Sequence, residues 1–150
     1  MSHWHKGKIS LNCSLEVLRK ALINIMPEWE SHIKVDPSKQ LSATSKYQES
    51  LSGYSIVIRQ GEDTGVYGAD IGFKQEKDGS WSVSFDYLPE KWRGETIGGL
   101  VTLEVSKMRA RAVVEYFGLE ICRDEDKDNE HIIEVIVPLA FRNKKKGIKQ

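Results

Sequence analysis

Hydrophobic residues recur along the chain with two different periods, and the periods mark out the elements. Leu15, Leu18, Leu22 and Ile25 are spaced by 3, 4 and 3 residues, the apolar stripe of a helix. Ser14 stands where its side-chain oxygen can accept from first-turn amides. Pro27, which lacks an amide proton, ends the helix near Met26. Further on, Ile97, Val101, Val105, Met108, Ala112 and Tyr116 follow at steps of 4, 4, 3, 4 and 4. They predict a second, longer helix capped by Thr96 and closed by Gly118, with Leu119 as its apolar contact. Between the helices the period changes to two. Tyr54, Ile56 and Ile58 alternate with Ser55, Val57 and Arg59; Ala69, Ile71 and Phe73 alternate with Asp70, Gly72 and Lys74. Trp81, Val83, Phe85 and Tyr87 alternate with Ser82, Ser84 and Asp86, and Asp78-Gly79 before them is a hairpin turn. A first strand over residues 8–12, a short edge strand over 31–36 and a last strand in HIIEVIVPL complete the set. The last is apolar on both faces and is expected at the sheet centre. Residues 37–53, rich in Ser, Lys and Gln, predict a mobile loop or an irregular hairpin, and RDEDKDNE predicts a solvated turn.

The order β-α-(β)-β-β-β-α-β predicts an α+β domain, an antiparallel sheet of about five strands with two helices packed on one face. A ferredoxin-like arrangement is one topology that this order allows. Ile56, Ile71, Trp81 and Phe85 are expected to lie together under the helix at 97–117. The opposite face carries Ser55, Arg59, Asp70, Lys74, Ser82, Ser84 and Asp86 and is left bare unless the 37–53 segment covers it. One domain over 1–141 with a basic tail at 142–150 suits a chain of 150 residues, since single domains cluster at about 100–150.

Composition narrows the field. Lys+Arg 22 against Asp+Glu 22 leaves no net charge, which disfavours a nucleic-acid coat or a globally basic membrane binder. Hydrophobic residues at 39% are enough for one real core. No run approaches the ~18 apolar residues of a membrane helix, and MSHWHKGKIS lacks the apolar centre of a secretory signal. The expected compartment is the cytoplasm, where a disulfide between Cys13 and Cys122 is not expected.

Motifs for phosphate loops, dinucleotide folds, nucleophile elbows or helical zinc sites do not occur. Arg59, Asp70 and Asp86 share the polar sheet face and form the candidate partner-binding site. A cross-strand ion-pair lattice is the plainer reading of the same residues, and a carboxylate pair for acid–base chemistry the least favoured. Trp92 and Arg93, in the loop before the second helix, are candidate contact residues unless the tryptophan folds back on the core edge. His3 and His5 supply two imidazoles, too few for a metal site, and His32 and His131 have no partner at ligand spacing. No metal or other cofactor is expected. Gly98-Gly99 opens a helix where amides can meet an anion, although a tight turn explains it as well. Lys144, Lys145 and Lys146 could touch phosphate, or simply be solvated.

The opening MSH, the strand pair SIVIRQ…ADIGF, the WSVSF strand and the helix end YFGLEI together resemble the DUF1257/Ycf35 family. These are small proteins of bacteria, cyanobacteria and plastid genomes. The resemblance spans roughly residues 1–140, and IRQ followed by DIGF is its most specific part. The chain departs from it in the 37–53 segment, in the charged tail, and in a helix without the family's aromatic-rich stretch before YFGLEI. The resemblance implies an accessory or assembly role and carries over no catalytic residue or cofactor. The expected function is therefore non-enzymatic protein–protein contact through the polar sheet face, with a protein partner or a second copy of the chain. A small ligand-binding protein or enzyme using that face is the alternative, and weak RNA binding through tail and face a further one.

Overall fold

Ser14 Oγ accepts from the Val17 amide at 3.3 Å and starts α1 (Leu15–Ile25), and Pro27 converts the chain beyond it into a single 3-10 turn, Pro27–Trp29. The computed structural model describes residues 4–88, 96–128 and 130–137. The strands are β1 (His5–Ile9), β2 (Ile33–Val35), β3 (Leu41–Ala43), β4 (Leu51–Tyr54), β5 (Ile56–Ile58), β6 (Ile71–Gln75) and β7 (Trp81–Phe85). After them come α2 (Thr96–Tyr116), β8 (Glu120–Lys127) and β9 (Glu130–Ile136). The chain divides inside α2 into two units, Met1–Val105 and Ser106–Gln150, where the sequence suggested one domain over 1–141.

In the first unit a five-stranded antiparallel sheet runs β1-β7-β6-β5-β2. The α+β class with its antiparallel sheet is as expected, and 31–36 does supply an edge strand. The strand order is not ferredoxin-like, and β1 lies at 5–9 rather than 8–12. Pairing puts Ile9, Trp81, Val83, Ile71, Phe73, Ile56, Ile58 and Ile33 on one face. These side chains are buried, as are Leu18, Ala21 and Leu22 of α1 and Ile97, Val101 and Val105 of α2. Phe85, expected among them, is only half-buried, at the rim beside His5 with ring centroids 5.8 Å apart. The Trp81 indole donates to the Cys13 carbonyl at 3.0 Å, and Asn24 donates to Glu104 at 3.1 Å, which ties the two helices.

The opposite face is not bare. The 41–54 segment forms the irregular hairpin β3-β4, whose register shifts between Leu41 and Ser42, and it lies over β5 and β6. Tyr54 changes face to do this. The strand bends at Ser55, so Tyr54 joins Val57 and Ala43 in a second apolar cluster instead of following Ile56 and Ile58. Its ring occupies the space over Gly72, where a Cβ would stand 2.7 Å from Tyr54 Cδ1. Trp4 packs on the same cluster and donates its indole N–H to the Glu49 carbonyl at 3.0 Å.

In the second unit the last strand is not central. Among the described residues β9 pairs only with β8, and of RDEDKDNE, expected as a turn, Arg123 to Lys127 belong to β8 and Glu130 begins β9. Glycine does end α2 as anticipated. Gly118 takes φ 65° while its amide donates to Glu115 and the Leu119 amide to Val114, both at 3.0 Å. Among the described residues no helix is long and apolar enough to cross a membrane.

Candidate functional site

Arg59 follows β5 and Asp70 precedes β6, so the antiparallel pairing of these strands brings them together at one end of the pair. Arg59 Nη1 donates to Asp70 Oδ2 at 2.8 Å and to the Ser42 carbonyl at 3.0 Å. The same Oδ2 accepts from the Thr44 amide at 2.8 Å and the Thr44 hydroxyl at 2.9 Å. Oδ1 accepts from the Gln60 amide at 2.9 Å. The Asp70 amide in turn donates to the Thr44 carbonyl at 2.9 Å. Asp70 is 1% exposed. Burial pushes its carboxyl up, but the Thr44 and Gln60 amides, Arg59 and the Thr44 hydroxyl outweigh that and hold it below the ordinary carboxylate range. The pair expected on an open recognition face is therefore a clasp, with Asp70 sealed from solvent and its oxygens occupied, fastening the hairpin's 42–45 stretch to the sheet.

Asp86 is not among the groups that bond Asp70. It is 7% exposed, and its Oδ2, without a hydrogen-bond partner among the described residues, is pressed against Gly68, where a Cβ would fall 2.5 Å away. Gly68 carries φ 79°, so a side chain there meets both strain and that carboxylate. Trp92 and Arg93 lie outside the described residues. The part of the polar face that stays open is near the β6–β7 turn. There Lys8, Glu76, Lys77, Asp78, Ser80 and Ser82 line a shallow depression, with Lys8 and Asp78 3.9 Å apart. Its charges are mixed and its walls open.

The second unit holds a charged constellation that the sequence reading passed over. Lys107 and Arg111 stand one turn apart on α2, and Asp124 and Asp126 alternate onto one face of β8. Arg111 grips Asp124 with two bonds at 2.8 and 2.9 Å, and Lys107 Nζ stands 3.0 Å from Asp126 Oδ1. Between the carboxylates lies the ring of His131, Nε2 at 2.5 Å from Asp124 and Nδ1 at 2.6 Å from Asp126. Each ring nitrogen thus faces a carboxylate oxygen, and the ring bridges the two aspartates. The Arg111 hydrogen bonds, helped by His131, hold Asp124 down at about 2, and the His131 and Lys107 bonds lower Asp126. The groups follow one another as Lys107–Asp126–His131–Asp124–Arg111, with both aspartates held between a basic side chain and the imidazole. Among the described residues no His, Cys, Asp and Glu group is arranged to hold a metal. The spacings i, i+4 on the helix and i, i+2 on the strand were the available signal; reading 123–130 as a turn hid it.

Around this network the unit is open. Among its described residues, Ser106 to Val137, no side chain is buried, and Val113, Tyr116, Phe117, Ile121 and Ile136 are exposed, Tyr116 by 84%. Comparison with protein-family models, curated proteins and solved structures finds no match for this chain.

Proposed function

We propose that this chain acts by contact with another protein chain rather than by catalysis, and that the helix–hairpin unit after Val105 is the contact surface. One observation carries the reading. The apolar stripe of α2 is continuous in sequence, yet its first half (Ile97, Val101, Val105) is buried while its second half is half-buried at Met108 and exposed at Ala112 and Tyr116. A helix keeps such a stripe because something covers it, and exposed contiguous apolar surface rimmed by charge is the mark of an interaction site. The charged groups favour the same reading, since Asp70 and His131 are engaged by neighbours of their own chain and poorly placed to receive a substrate. An accessory or assembly role of the kind implied by the likeness to the DUF1257/Ycf35 family is this sort of function. The polar sheet face around Arg59 and Asp70 is a weaker candidate surface, because the chain's own β3-β4 hairpin occupies it.

The test is a pull-down with wild-type protein, with Tyr116→Ser/Phe117→Ser, and with a control change in the open depression, Lys77→Ser. Partners lost with the first variant and kept by the second, at unchanged melting temperature, support the reading. Partners that survive loss of both aromatic side chains move the surface elsewhere.

A further inference from the structure

We propose that, besides the contact made by α2, this unit pairs with a second copy of this chain through β9, with the two strands antiparallel about a twofold axis at Ile133. The pairing uses the hairpin edge, not the α2 stripe, and goes beyond the contact reading. The sheet of the second unit has two strands, so each has one outer edge without a strand partner among the described residues. Those edges differ. β8 carries consecutive charges, Arg123, Asp124, Glu125, Asp126 and Lys127, which guard an edge against pairing. β9 carries Ile132, Ile133, Val135 and Ile136, interrupted only by Glu134 and preceded by Glu130 and His131. An aliphatic, weakly charged edge of this kind recruits another strand.

Register argues for a copy of itself. A twofold axis normal to a sheet keeps each side chain on its own face, so it must pass through a residue, not between two. An axis at Ile132 sets Glu130 opposite Glu134 of the second copy. An axis at Glu134 sets that glutamate opposite itself, and like charges directly opposite are destabilising. An axis at Ile133 avoids both. Each glutamate then faces an isoleucine, Glu130 opposite Ile136 and Glu134 opposite Ile132, while His131 faces Val135 and Ile133 faces itself. The whole of Glu130–Ile136 is paired in that register. Axes nearer either end leave most of the strand without a partner. The result is a four-stranded sheet with the guarded β8 edges outermost, in place of two hairpins of a kind that is marginal when isolated.

The experiment reads both association and register. In a Cys122→Ser background, which removes the exposed thiol and leaves the buried Cys13, single cysteines are placed at 132, 133 and 134. Light scattering of the parent protein is expected to give the mass of two chains. Under mild oxidation Ile133→Cys should cross-link to itself, because only there does a residue face its own copy. Ile132→Cys and Glu134→Cys should each stay uncross-linked alone and form a disulfide when mixed. A single-chain mass at every concentration, or equal cross-linking at all three positions, overturns the proposal. If that monomer still loses partners on Tyr116→Ser/Phe117→Ser, the dimer has failed and the contact reading has not. A circular-dichroism melt of each variant separates lost pairing from lost folding.

Discussion

The first unit buries the carboxylate of its charged pair because its own chain covers it; the second leaves a larger charged network half open and its aliphatic side chains in water. In the first, the sheet has apolar side chains behind it and the β3-β4 hairpin in front, so Asp70 is bonded on both oxygens and Tyr54 fills the space over Gly72. In the second, one helix segment lies with one hairpin, and the Lys107–Asp126–His131–Asp124–Arg111 chain stands where an apolar core would be expected. Two covering layers allow a sheet to hide polar groups at little cost, since each finds a partner on the layer above. A single layer cannot, so its apolar residues await another surface.

The comparison is broken most directly by core deletion. Trp81→Ala is expected to cost the first unit ~3–5 kcal/mol, because a fully buried indole leaves a cavity and its hydrogen bond to the Cys13 carbonyl is lost. A melt within a few degrees of wild type would show that this face is not the core. Asp70→Ala should follow at about 2–3 kcal/mol, through loss of the clasp and the unpaired groups left on Arg59 and Thr44. Asp70 is held below its ordinary value, so its contribution is present above an unfolded-state pKa of about 3.9 and is lost as pH falls through the folded value. Urea titrations should therefore show wild type losing stability below about pH 4 more steeply than Asp70→Asn, which begins lower and changes less. Parallel curves would mean that the clasp is not formed in solution.

Gly72→Ala tests the covering hairpin alone. The added methyl meets the Tyr54 ring and should cost about 1–3 kcal/mol, with Tyr54→Ala in the same chain recovering part of it. Equal losses in single and double variants would place Tyr54 elsewhere. Smaller still is the expected response of the second unit. Tyr116→Ser/Phe117→Ser should change the stability of the protein by no more than about 0.5 kcal/mol in a urea titration. An NMR titration should find Asp124 with a midpoint at about 2, below its ordinary carboxylate value, and Arg111→Gln should raise it. A midpoint unmoved by that change would separate Asp124 from Arg111.

Local features were legible because their causes lie within a few residues. Ser14, Pro27, Asp78-Gly79 and Gly118 each act on the turn next to them, and each stands at the boundary assigned to it. The clasp was half legible. Arg59 and Asp70 were recognised as charges on one face, but their partners Thr44 and Gln60 come from a segment without a period and from a backbone amide, neither of which leaves a pattern. Tyr54 was misplaced because alternation was carried straight through Ser55, where the strand bends between two sheets. His131 looked solitary because its neighbours stand across a hairpin whose acidic strand has the composition of a turn.

By itself, then, the sequence determined the helices, the hairpin turn, the α+β class and the identity of the apolar sheet face, since these follow from spacing and from single-residue stereochemistry. Tertiary structure alone decided the strand order, the hairpin that covers the polar face, the burial of Asp70 and the division of α2 into covered and uncovered halves. The physical reason is that periodicity shows which side of an element seeks cover, whereas the surface that supplies it comes from residues distant in the chain, or from another chain.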